Sequence, residues 1–95
     1  MGVRENKVEK YLNDEVSRLG GLTRKWVSPG RDGVPDRIVA YFGNIYFVEV
    51  KTTDGDLAEH QTREHERLRE KGALVYTVSG HAEVDTFITM MILRK

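Results

Sequence analysis

The stretch RIVAYFGNIYFVEVK, residues 37–51, decides how this chain folds. Two apolar runs rich in β-formers, Arg37 to Phe42 and Ile45 to Lys51, are separated only by Gly43-Asn44. A two-residue Gly-Asn connection between such runs predicts a β-hairpin. Side chains on a strand alternate between faces. Ile38, Ala40, Phe42, Ile45 and Phe47 therefore line one face, and Val39, Tyr41, Tyr46, Val48 and Val50 the other. A sheet that is apolar on both faces must be covered on both. This predicts a three-layer α/β/α domain around a mixed sheet.

Working outward, the flanking segments supply the covering helices. Val8, Leu12, Val16 and Leu19 recur at helical spacing, so a first helix is predicted over roughly Glu5 to Leu19, ended by Gly20-Gly21. Leu22 to Val27 is short and strand-like, and Ser28 to Gly33 is loop chemistry. After Thr53, Asp54-Gly55 predicts a turn. Asp56 reads as a helix N-cap with Glu59 as its reciprocal partner. That helix is expected to run to about Lys71 and to stop at Gly72. Ala73 to Val78 is a strand by composition. Val84, Phe87, Ile88 and Met91 mark a last amphipathic helix. The expected order is α-β-β-β-α-β-α, with no internal repeat.

Composition bounds the function. Ninety-five residues, 39% hydrophobic and 32% charged, suit one soluble globular domain spanning 1–95. Cysteine is absent, which excludes a disulfide framework, a thiolate metal site and a cysteine nucleophile. The cytoplasm is the natural compartment: the opening MGVRENKVEK has no apolar run, and no segment is suited to span a membrane. Fifteen basic and fifteen acidic residues leave no net charge. A nucleic-acid-binding protein more often carries a positive excess, although acidic groups in a metal site subtract from the total.

The hairpin has a consequence for three charged residues. If Gly43-Asn44 is the whole loop, Phe42 faces Ile45, Ile38 faces Glu49, and Asp36 faces Lys51. Asp36, Glu49 and Lys51 then emerge on one face. As diagonal neighbours, the two acids have Cβ atoms roughly 6–8 Å apart. One small cation fits between two carboxylates at that reach. An Asp36–Lys51 cross-strand ion pair at the sheet end accounts for the same residues equally well. An added bulge would change the parity.

Gly33-Val34-Pro35-Asp36 followed by Glu49-Val50-Lys51 resembles the PD-(D/E)XK nuclease signature. More closely, GVPDRIV, then FVEVK, then Gln61 in the next helix, is similar to the virus-type replication-repair nuclease family, VRR-NUC. The resemblance covers about Glu9 to Val78. It implies a restriction-endonuclease-like fold and a phosphodiesterase that uses Mg²⁺ or Mn²⁺. Under it, Asp36 and Glu49 would bind the metal with help from the Val50 carbonyl. Lys51 would orient or activate the attacking water, or stabilise the phosphate, and Gln61 would enter the site from the following helix. Glu9, followed by Lys10 and eleven residues before Gly20, resembles the first-helix glutamate of archaeal junction resolvases and would be a further metal or water ligand. One departure stands out: the position three after Gln61, usually apolar or aromatic, is Glu64.

Each of these residues also has a structural reading. Gln61 shares a helical stripe with Leu57, Leu68 and, more loosely, His65, where a backbone hydrogen bond to the sheet would satisfy it. Glu9 borders the first helix's stripe, where a solvated face or a pairing with Arg or Lys would suffice. Arg24, Lys25 and Trp26 precede the catalytic loop, and a basic pair beside an aromatic can grip phosphate and stack on a base. A tryptophan there is also ordinary core. His60 and His65 are five apart, not the i, i+4 pair of a helical zinc site, and no role is assigned to them or to His81. Arg63, Arg67 and Arg69 read mainly as solvated helix face.

The resemblance implies a stand-alone nuclease acting on DNA, which a phage or mobile-element origin would suit, with a structure-selective endonuclease of branched DNA such as Holliday junctions as the leading expectation. A restriction-type nuclease subunit and a non-catalytic nucleic-acid-binding module are the alternatives. Cutting both strands needs two active sites, so a homodimer is expected. The apolar Met90, Met91, Ile92 and Leu93 cannot all be buried on one helix face, and the remainder would pack against a second copy or simply complete a core strand.

Overall fold

The computed structural model describes residues 2–52 and 55–95, with side chains from Lys7 onward. The order is α1 (Gly2–Arg18), β1 (Leu22–Lys25), β2 (Arg37–Tyr41), β3 (Asn44–Val50), α2 (Glu59–Glu70), β4 (Leu74–Val78) and α3 (His81–Leu93), as expected from the sequence. The strands lie in the order β1-β2-β3-β4. The first three are antiparallel neighbours and β4 joins β3 in parallel, so the sheet is mixed.

One face of the sheet carries the core. Val39, Tyr41, Tyr46, Val48, Val50 and Val78 are buried there against Val8, Leu12 and Val16 of α1 and Val84, Phe87, Ile88 and Met91 of α3. These are the alternating and helical positions that the periodicity selected. α2 packs on the opposite face, over β4. The three-layer arrangement therefore holds, but the second face is less completely covered: Leu22 and Ile45 are about half exposed. Among the described residues no helix is long and apolar enough to cross a membrane.

The hairpin register differs from the sequence expectation. Tyr41 pairs with Asn44, and Arg37 with Val48, so the loop is Phe42-Gly43 rather than Gly43-Asn44. Both loop residues have positive φ, 43° and 90°. That is the type I′ combination, in which glycine takes the second central position. Phe42 is held in this unfavourable region by edge contact with the Tyr41 ring, at 4.6 Å between centroids, and by the Lys95 ammonium 4.2 Å from its own ring centre. The shift moves every cross-strand partner by two residues. Because side chains alternate with period two, no residue changes face.

One helix boundary also differs. Ala58, not Asp56, is the N-cap of α2. Alanine has no capping oxygen, so only the reciprocal half of a capping box forms: Gln61 Oε1 accepts the Ala58 N–H at 2.9 Å. The expected turn at Asp54-Gly55 lies partly outside the described residues; the Gly55 N–H donates to the Thr52 carbonyl at 2.9 Å. At the other end of α2, Gly72 has φ 96°, and Ala73 returns an N–H to the Leu68 carbonyl.

Candidate active site

Continuing the β2–β3 register by one pair places Asp36 directly opposite Glu49, where the sequence had placed them diagonally. Glu49 in turn faces Thr77 of β4. On the other side, the Trp26 N–H donates to the Asp36 carbonyl at 2.8 Å, extending the β1–β2 ladder. One row thus crosses the sheet near one end: Trp26, Asp36, Glu49, Thr77. Alternation puts this row on the α2 face.

Glu49 is the centre of the group. Its side chain is only 3% exposed, at the end of an apolar strand. Burying a carboxylate is costly unless donors and positive charge surround it. Gln61 Nε2 donates to Glu49 Oε2 at 3.0 Å, and Lys51 Nζ stands 3.8 Å from the same oxygen. Because Gln61 Oε1 accepts from the Ala58 amide, the orientation of the Gln61 carboxamide is fixed at both ends. The cap of α2 and the hold on Glu49 are the work of one side chain. The Asp36–Lys51 ion pair that the sequence offered as an alternative is replaced by the Glu49–Lys51 pair, because the register places Lys51 two pairs beyond Asp36.

Asp36 is fixed by the main chain. Its Oδ2 accepts the Val50 N–H at 3.0 Å. The N–H and C=O of one strand residue point to the same edge. The Val50 carbonyl therefore also faces the β2 side, while the Lys51 N–H points away to the Val78 carbonyl at 2.9 Å. The residue that continues the register opposite Val50 is Pro35, which is fully buried and has no N–H to give. A proline at this place ends the ladder and leaves the Val50 carbonyl without that cross-strand donor.

α2 is brought onto the site by close packing at Gly33. A Cβ there would lie 2.8 Å from the His60 carbonyl oxygen and 3.2 Å from the Gln61 Cα, and Gly33 has φ +89°. Glycine is needed on both counts. One turn beyond Gln61 on the same helix face is His65, completely buried, with Nε2 3.9 Å from Glu49 Oε1. Neither ring nitrogen makes a well-formed hydrogen bond. Burial, and then the Arg69 guanidinium, hold the imidazole below its ordinary pKa; the Gly33 carbonyl, Asp36 and Glu64 act in the opposite sense. From the sequence no role follows for His65, since His60 and His65 are five apart and form no i, i+4 pair. The signal was its i, i+4 spacing from Gln61.

Glu9 stands apart from this group. Its Oε2 accepts from Arg37 Nη1 at 3.1 Å, and Arg37 Nη2 donates to Thr23 Oγ1, which bonds Asn13. Arg37 alternates with Asp36, so this network lies on the α1 side of the sheet. Among the described residues no cluster of three or more His, Cys, Asp or Glu side chains could hold a metal ion. The structure thus brings together Asp36, Glu49, Lys51 and Gln61, and engages Glu9 elsewhere. Of Arg24, Lys25 and Trp26 before the loop, Arg24 and Trp26 share the site face, with Trp26 tilted on Phe47 at 5.1 Å. Lys25 pairs with Arg37 and so alternates to the other face. Arg63, Arg67 and Arg69 are each paired with a glutamate of the same helix. One of those pairs, Arg67 with Glu64 at 2.8 Å, lets the buried Glu64 sit where an apolar residue was expected.

An oxygen-only donor set of two facing carboxylates and a main-chain carbonyl suits a hard divalent cation, which commonly uses one or two carboxylates and completes its shell with water and phosphate. The residues present fit such an ion.

Comparison with known proteins bears on the same residues. No family model matches the chain. A curated protein of Acyrthosiphon pisum secondary endosymbiont phage 1, named "Putative nuclease p44", is 51% identical over 67 residues, covering 70% of this chain and 72% of that one. A solved structure described as a VRR-NUC domain superposes with a TM-score of 0.85 at 43% identity, over 90% of this chain and 95% of the other.

Proposed function

Because this chain belongs to the VRR-NUC family of nucleases, we propose that it is a divalent-cation-dependent DNA endonuclease with its active site at Asp36, Glu49, Lys51 and Gln61. The observation that carries the reading is the buried Glu49 carboxylate, held by Gln61 and Lys51 and facing Asp36 across the hairpin. Asp36, Glu49 and the Val50 carbonyl would hold Mg²⁺ or Mn²⁺. The cation, when bound, makes water a better nucleophile near neutral pH and neutralises charge on the phosphate. Gln61 and the Val50 amide fix the two carboxylates, so no reorganisation is needed as charge develops. Lys51, mostly buried and tethered to Glu49, presents a compact positive charge to the scissile phosphate. Arg24 and Trp26, on the same face, are placed to meet the DNA beyond it.

We read the substrate as branched DNA, the Holliday junction among its forms, cut by a homodimer. One chain carries one such site, and Ile92 and Leu93 at the end of α3 leave 42% and 81% of their surface uncovered. Labelled four-way junction, flap and linear duplex incubated with Mg²⁺ or Mn²⁺ test the proposal. Cleavage of the junction in preference to duplex is expected, and Asp36→Asn or Glu49→Ala abolishes it in a folded protein. Undiminished cutting by either variant removes the site. A monomer in ultracentrifugation at the assay concentration removes the dimer.

A further inference from the structure

Resting on the cation reading above, we propose that His65 is a positioning residue: its imidazole donates from Nε2 to Glu49 Oε1 and fixes the carboxylate that receives the divalent cation. Gln61 and His65 are four apart on α2 and lie on one helix face. They address opposite oxygens of one carboxylate, Gln61 the Oε2 at 3.0 Å and His65 the Oε1 at 3.9 Å. Together they form a two-pronged clamp from a single helix.

The imidazole's surroundings leave it little else to do. Its side chain is 0% exposed, and neither Nδ1 nor Nε2 makes a well-formed hydrogen bond, the Gly33 main chain being a weak neighbour only. Buried polar groups of this kind are rare and costly, and a leucine or phenylalanine would fill the same space without that cost. A movement of about 1 Å brings Nε2 and Oε1 to hydrogen-bonding distance. Contacts of this kind are commonly long in the unloaded protein and tighten when the site is charged. The clamp has a chemical purpose. A carboxylate offers about four lone-pair directions. Donors placed on both oxygens leave a defined set for the cation and prevent Glu49 from rotating away.

The test measures cation binding directly. Mn²⁺ alone is titrated calorimetrically into the native protein and into His65→Leu, His65→Gln and Asp36→Asn, each shown folded by circular dichroism at the titration temperature. Leucine fills the space without a donor, whereas glutamine keeps a donor at comparable reach. Outer-shell donors of this type are typically worth about 10- to 100-fold in metal affinity. His65→Leu is expected to weaken Mn²⁺ binding by that factor and His65→Gln to restore most of it. Equal affinity in His65→Leu and the native protein, with binding lost in Asp36→Asn, overturns the role of His65 and leaves the metal site standing. Equal weakening in both His65 variants assigns the residue to packing and also overturns it. Failure of the native protein to bind Mn²⁺, or unchanged binding in Asp36→Asn, sinks the underlying cation reading instead.

Discussion

Asp36→Asn should make this protein more stable without a divalent cation and less stable with one. In the folded chain Asp36 faces Glu49 across the hairpin, and directly opposed like charges destabilise a sheet. Two unit charges about 6 Å apart at an effective dielectric constant near 20 repel by about 3 kcal/mol, which is an upper figure because Lys51 already offsets Glu49. Against this, the bond from the Val50 amide to Asp36 Oδ2 changes from a charged acceptor to a neutral one, a loss of about 1 kcal/mol. The difference leaves a gain of about 1–2 kcal/mol in chelator. Each kcal/mol corresponds to about 4–8 °C in Tm for a domain of this size. At a Mn²⁺ concentration about a hundred times Kd, the native chain gains about 2.7 kcal/mol from binding and the variant gains none, so their order reverses. Thermal melts of both proteins in EDTA and in Mn²⁺ supply the four numbers. A variant less stable than native in EDTA, or stabilised by Mn²⁺ as much as native, refutes the reasoning.

Other perturbations probe separate contacts. Gly33→Ala combines a left-handed φ, worth about 1–2 kcal/mol, with a 2.8 Å contact on the His60 carbonyl, so urea unfolding should show a loss of about 2 kcal/mol or more; an unchanged midpoint would show that α2 yields freely. Gln61→Leu removes both the Glu49 bond and the reciprocal cap, and should cost about 1–3 kcal/mol together with most of the cleavage rate; full activity would free Glu49 from this dependence. A double-mutant cycle of Glu9→Gln with Arg37→Met should give a coupling of about 1–2 kcal/mol, with cleavage retained in Glu9→Gln; loss of cleavage without loss of stability would transfer Glu9 to the cation. Pro35→Ala supplies an N–H opposite the Val50 carbonyl and should weaken Mn²⁺ binding in calorimetry while the fold persists; unaltered affinity would discount that carbonyl as a ligand.

The local physics of the chain carried a large part of this structure. Helical spacing of Val8, Leu12 and Val16, the alternation from Arg37 to Lys51, and Gly72 after the last turn of α2 are each set by near neighbours, and all appear where the sequence places them. The common face of Asp36, Glu49 and Lys51 was legible for the same reason, and it survived a wrong register. A slip of two residues in the partner strand moves every pairing and flips no side chain, because the period of a strand is two. The register itself was not legible: it hangs on Phe42 accepting a positive φ, which depends on Tyr41 and on Lys95 from the far end of the chain.

What the tertiary structure alone decided concerns groups far apart in sequence. Whether Glu9 meets a cation or Arg37 depends on where α1 settles, and it settles on the opposite face of the sheet from Glu49. Whether His65 is helix surface or lies beneath a carboxylate depends on how closely α2 approaches Gly33, a contact between segments with no local reason to touch. Periodicity fixes which way a side chain points from its own element. Only the packing of elements, driven by burial that has no direction of its own, fixes what it points at.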